Sequence, residues 1–215
     1  MLTKEYYKKG FEDWKRELFE YKYLIVLSGV IVAVATFLDY FSGVYVSTAA
    51  QTAHVPDLIL DRIKPPVDMG FLFVYGYLAL IIALFVYPLF LHIRMFHIVV
   101  SQFSLLVMLR SIFIIFTHLQ TPPDAVEVSF PWIFEGLSFE NDMFFSGHTA
   151  VPLLGFFLFS DSKVKYFFLA GSICMGVTVL AMHLHYSIDV LAAYFITYCS
   201  HKMGRFLLKK IDPTY

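Results

Sequence analysis

Six long apolar runs, separated by short polar stretches, set the pattern of the chain. They cover residues 22–46, 69–92, 94–117, 146–161, 165–183 and 186–208. A helix that crosses a bilayer needs roughly 20 mostly apolar residues, and all but the fourth run are about that long. The fourth is short and starts inside a polar motif, which is tolerable where the first turn lines a cavity instead of facing lipid. Residues 1–21 read differently, with Phe11, Trp14, Leu18 and Phe19 set among Lys and Glu. This pattern predicts an amphipathic helix lying on the membrane surface. The apolar run after it begins too late and is too long for a cleavable signal peptide. No internal repeat or low-complexity tract interrupts the series. The expected fold is all-α: a polytopic membrane protein with six transmembrane helices in one bundle over 22–208, and a short tail at 209–215.

Composition supports the membrane class. Of 215 residues, 59% are hydrophobic, 19% aromatic and only 15% charged, with a mean hydropathy of +0.69. A soluble domain of this size has no means of hiding so much apolar surface. The net charge of -1 and the lack of a basic stripe give no footing for nucleic acid. Cys174 and Cys199 both lie in apolar runs and are expected to be free thiols in the core.

Lys and Arg orient the bundle. With the N-terminus in the cytoplasm, thirteen of the sixteen fall on the cytoplasmic side, two (Arg62 and Lys64) fall opposite, and Arg110 lies within the third run. That asymmetry predicts both termini in the cytoplasm. The loops at 47–68 and 118–145 then face the outside or a lumen. They carry acids that include Asp57, Asp61, Glu127, Glu135 and Asp142. His92, His97 and His201 are expected at the cytoplasmic boundary, and His118 lies outside with no motif around it.

Two polar stations interrupt this frame. One is Asn141-Asp142-Met143-Phe144-Phe145-Ser146-Gly147-His148-Thr149; the other is His185-Tyr186-Ser187-Ile188-Asp189-Val190. Two crossings separate them, so His148 and His185 are expected at the same, non-cytoplasmic face. Ionisable groups at membrane depth are expensive and are functional candidates by default. Asp189 follows His185 by four residues, which on a helix makes them neighbours. A carboxylate beside an imidazole fixes its tautomer and stabilises its cation, and an oriented imidazole is a good nucleophile or base. Ser146 and Gly147 open the other helix, where unpaired N–H groups favour an anion; Ser146 adds a hydroxyl and Gly147 admits close approach. His148 is then placed to protonate a leaving oxygen. A nucleophile, an acid and an anion cradle suffice for phosphoryl transfer. His183 and His185 also form an H-x-H pair, a weak metal signal without further ligands, and no metal is expected.

At these residues the chain resembles the lipid phosphatase superfamily, closest to its sphingomyelin synthase-like branch. The resemblance rests on S-G-H-T at 146–149 and H-Y-S-I-D-V at 185–190, which are specific. Weaker support comes from Asp142, from Pro56-Asp57 with Asp61, and from Arg110 followed by Thr117, Leu119 and Pro122. It extends over nearly all the chain after residue 50. It implies that His185 attacks the donor phosphorus to give a phosphohistidine, that Asp189 supports it, and that His148 serves as acid and then base, without a cofactor. The implied partners are a glycerophospholipid donor and a lipid alcohol acceptor such as ceramide or diacylglycerol, with phosphocholine or phosphoethanolamine transferred. The substrate side is expected to include Arg110, Asp142, Ser146, Gly147 and Tyr186. Asp57 and Asp61 are expected to shape the outer loop. The acidic loop residues suit a cationic headgroup. A hydrolase using water and a lipid-binding scaffold remain alternatives, and a homo-oligomer is compatible with the sequence.

Overall fold

The computed structural model describes residues 2–91, 93–130 and 139–212, with side chains from residue 11 onward. His92 and Glu135 therefore lie outside the described residues. The fold is all-helical. Helix α1 covers Leu2–Glu20, α2 Lys22–Thr48, α3 Tyr77–Leu91, α4 Ile93–Thr117, α5 Gly147–Leu158, α6 Val164–Ala181 and α7 Ser187–Ile211. One turn of π-helix, Leu72–Gly76, leads into α3. Among the described residues the only extended pairing is an isolated parallel bridge between Ala53 and Leu119.

Four segments are long and apolar enough to cross a membrane: Lys22–Thr48, Leu72–Leu91, Ile93–Thr117 and Val164–Ala181. Helix α5 has 12 residues and spans only about 18 Å at 1.5 Å per residue. Helix α7 has 25 residues but a more polar composition, with Asp189 in its first turn and Lys209 and Lys210 in its last. Both are nonetheless central. Helix α5 packs extensively on α6 and α7, and Ala150, Leu154, Phe168, Met175 and Ala193 from these three helices share one buried cluster with Leu84 of α3 and Leu106 of α4.

Helix α2 is peripheral and lies along α4, the most extensive helix pairing in the molecule. Its contact stripe is made of small residues, with Ser28, Ala35 and Ser42 fully or nearly fully buried at seven-residue intervals. Small side chains let two helix backbones approach closely where no hydrophobic driving force separates helix from lipid. The two hydroxyls bond within their own helix, to Ile25 O and Asp39 O, so neither is left unsatisfied. Helix α1 docks through Trp14, whose Nε1 donates to Leu89 O at 2.8 Å, while Phe11 and Phe19 stay exposed.

The turns gather at two ends. At one, Val67 N donates to Ala181 O, Val126 N to Met182 O and Gln120 N to Ala53 O, which joins both long loops to the α6–α7 turn. At the other, the Tyr87 hydroxyl meets Ser162 Oγ at 3.3 Å, and His97 stacks on Tyr21 and faces Asp212 at 3.5 Å. His97 and His201 are buried in the protein. They are 1% and 7% exposed, and His201 stacks on Phe157; periodic apolar runs do not tell which polar residue turns inward. The cysteines depart the other way: Cys174 and Cys199 are free but exposed, because each sits on the outer, lipid-suited face of its helix.

Candidate active site

Helices α5 and α6 form a hairpin that returns the chain to the level at which α5 began, so the two polar stations meet. The contact is direct: the Ser146 backbone N–H donates to Asp189 O at 3.2 Å. His185 Nδ1 lies 3.1 Å from Asp189 Oδ2, at the i,i+4 spacing expected from the sequence. The same oxygen accepts the Tyr186 N–H at 3.1 Å, which caps the start of α7. Asp189 is completely buried. An ionised carboxylate only accepts hydrogen bonds, so His185 carries its proton on Nδ1 and leaves Nε2 for other chemistry.

His148 is clamped between two rings. Its centroid lies 3.9 Å from that of Phe73, nearly parallel at 16°, and 3.9 Å from that of Tyr77, tilted at 32°. The π turn and the first residue of α3 supply these two residues. His148 and His185 line one cavity of about 820 Å³. Its walls also carry Asp39, Arg110, Glu127, Glu140 and Asp142. Among the described residues the lining thus holds four carboxylates and one guanidinium.

Arg110 is the hub of the polar wall. Nη2 lies 2.8 Å from Asp142 Oδ2, Nη1 lies 3.4 Å from Asp39 Oδ1, and Nε donates to Phe145 O at 3.3 Å. A Cβ added at Gly147 would make ordinary van der Waals contact with Arg110 Nε at 3.5 Å, so the space beside the guanidinium does not itself require a glycine. Asp142, expected on the substrate side, is Arg110's ion-pair partner on the cavity wall.

Two residues expected on the substrate side serve packing. Ser146 is fully buried, with Oγ accepting from Thr149 Oγ1 at 3.3 Å. Tyr186 is 2% exposed, and its hydroxyl donates to Gln120 O at 2.9 Å, tying down the second loop. Ser146 stands two residues before His148 and Tyr186 directly after His185, but neither lines the cavity. His183 also has a structural role: Nε2 lies 2.7 Å from Ile63 O. Among the described residues no group of three His, Cys, Asp or Glu side chains is placed to hold a metal ion.

Asp57 does shape the outer loop, and it does more. Its Oδ2 accepts from the Ser187 N–H at 2.6 Å and the Ser187 hydroxyl at 2.8 Å, while Oδ1 accepts from Ile59 N and Leu60 N. Partial burial pushes this carboxyl up, but the hydrogen bonds from Ser187, Leu60 and Ile59 outweigh it and hold it below the ordinary aspartate value. Asp61 pairs with Lys64 at the surface.

Sequence reasoning missed Asp39, Phe73 and Tyr77. A signal existed for Asp39, the single acid within the first apolar run. The two aromatics had none, because aromatic residues are frequent throughout the chain. The chain matches no protein-family model, no curated protein and no solved structure.

Proposed function

We propose that this chain is a membrane enzyme that transfers a phospho-headgroup from a glycerophospholipid to a lipid alcohol through a phosphohistidine. The observation that carries the reading is the meeting of the His185–Asp189 pair with His148 on the wall of one cavity. In the first half-reaction His185 Nε2 bonds to phosphorus, the bond to the diacylglycerol oxygen breaks, and His148 gives that oxygen its proton. In the second, His148 takes the proton of the acceptor hydroxyl, whose oxygen bonds to phosphorus as the N–P bond breaks. Asp189 stabilises the imidazolium character of His185 in both. The excess of carboxylates around the cavity favours phosphocholine or phosphoethanolamine donors, whose headgroups end in a cation.

Six crossings, both termini in the cytoplasm and a site on the exoplasmic or lumenal face complete the proposal. The Lys and Arg distribution supports this orientation. The start of α5 at Gly147, inside the polar motif, fits it too. Non-helical backbone at membrane depth is tolerated where it is buried or lines a cavity, and residues 142–146 run into α5 beside the cavity that holds Asp142 and Met143.

The test uses purified protein in lipid nanodiscs with phosphatidylcholine, phosphatidylethanolamine, phosphatidylglycerol or phosphatidylinositol, each with and without ceramide. Products are read by mass spectrometry beside His185→Ala. A headgroup on ceramide that disappears in the variant supports the transferase. Diacylglycerol and free phosphoalcohol regardless of acceptor would make the enzyme a hydrolase.

A further inference from the structure

Helix α2 packs on α4 and briefly on α1, away from α5, which carries His148, and from the α6–α7 turn, which carries His185. Its second half nonetheless reaches the segment leading into His148 directly at Phe139 and Glu140, and it also reaches Arg110 of α4, which grips that segment. Asp39 Oδ1 lies 3.4 Å from Arg110 Nη1. The backbone of Gly43 is covered by the Phe139 ring so closely that any side chain there would overlap it. Ser47 Oγ donates to Glu140 O at 2.7 Å. Residues 39, 43 and 47 are four apart and form one stripe on one helix face.

Arg110 passes the hold onward. Its Nη2 grips Asp142 and its Nε grips the Phe145 carbonyl. Phe139, Glu140, Asp142 and Phe145 are therefore all held from α2, directly or through the guanidinium, and His148 follows three residues later. One carboxylate, Asp142, already suffices to neutralise Arg110. A second half-buried carboxylate adds a desolvation cost, but it adds geometry too: the planar fork is fixed from three directions, by α2, by the loop and by the entrance to α5.

We propose that Asp39 is a positioning residue that, through Arg110, sets the path of residues 139–145 and hence where His148 stands relative to the reacting phosphorus. The kinetic side of this rests on the proposed transferase reading; the structural side does not.

The experiment compares wild type with Asp39→Asn, Asp39→Glu and Gly43→Ala in nanodiscs. Two things are measured: kcat and KM for the donor lipid, and hydrogen–deuterium exchange over residues 139–149. Asp39→Asn is expected to lower kcat on the order of 10- to 100-fold, the scale of a small misplacement of a catalytic group, with KM within about twofold. Asp39→Glu restores part of kcat. Gly43→Ala keeps every charge, pushes on the Phe139 ring and gives the same split, so it carries the test if Asp39→Asn does not fold. Exchange at 142–148 rises in both variants while α6 is unchanged. A raised KM for cationic-headgroup donors with kcat intact would overturn the proposal and make Asp39 a headgroup contact. Unchanged kinetics and exchange would overturn it as well. If wild type turns over no donor, the transferase reading falls, and the exchange data alone decide the positioning claim.

Discussion

Asp189 presents one oxygen, Oδ2, to both the His185 ring and the Tyr186 N–H. An Asn at 189 keeps an acceptor for the backbone donor but removes the charge that orients and stabilises the imidazole. Asp189→Asn is therefore expected to fold normally and to lower kcat on the order of 10³- to 10⁴-fold, as carboxylate loss does in comparable His–Asp pairs. Initial rates in nanodiscs alongside a thermal melt check this, and a near-normal rate would remove Asp189 from the mechanism. His148 depends on stacking. Tyr77→Phe loses only a long contact, 3.5 Å from the hydroxyl to Gly147 O, and should retain most activity. Tyr77→Ala removes a ring contact worth about 0.5–1.5 kcal/mol and is expected to slow turnover by up to about tenfold; equal rates for the two variants would contradict the stacking role. The residues bearing the proposed chemistry were legible in the sequence because their spacing is local: four residues join His185 to Asp189. Phe73, Tyr77 and Asp39 meet the site only through space; Asp39 is marked as the lone acid of its apolar run, whereas nothing distinguishes Phe73 and Tyr77 from the other aromatics.

The elements follow the hydropathy pattern closely, since apolar length alone fixes where a helix runs between polar turns. Where the pattern is silent, the structure departs from it. A π turn precedes α3 and α5 stops at Leu158, short of the expected 161. The faces of α6 and α7 could not be assigned either, because a lipid-facing and a buried apolar position look alike. The start of α7 shows what holds an element in place from outside. Asp57 reaches from the first loop to the Ser187 N–H, one of the orphan donors of a helix start. Asp57→Ala is expected to destabilise the protein by about 1 kcal/mol, as for other lost caps. Because the folded-state carboxyl is held below its ordinary value, its contribution is fully present above about pH 4, the unfolded aspartate value, and is lost as the pH falls through the folded value. Thermal melts of wild type and Asp57→Ala should differ by a constant amount from neutral pH to about pH 5 and converge on further acidification. Divergence in acid would refute the capping role.

At the scale of the whole molecule, the turns sort into two ends by contact. The turn at 182–186 belongs with both long loops, and the turn after α5 belongs with the C-terminal end of α3 through Tyr87 and Ser162. Helix α5 is too short to cross a bilayer on its own, and the proposed topology has the chain on either side of it complete the passage. A two-sided labelling experiment tests this in right-side-out vesicles, with Cys174 and Cys199 first replaced by serine. Single cysteines are then placed at four exposed positions: Leu58, Asp124, Lys163 and Lys209. Leu58→Cys and Asp124→Cys are expected to react with an impermeant maleimide in sealed vesicles. Lys163→Cys and Lys209→Cys should react only after permeabilisation. Lys163 is the deciding position. It follows α5 directly, so labelling from the same side as Asp124 would mean that α5 dips into the membrane and returns. The α6–α7 turn with His185 would then emerge on the opposite face from the long loops. The hydrogen bonds from Val67 and Val126 to the end of α6 would have no way to form, and the two stations would no longer share a cavity. Protection of Lys163 until permeabilisation keeps both histidines on one face, the condition on which the proposed phosphoryl transfer depends.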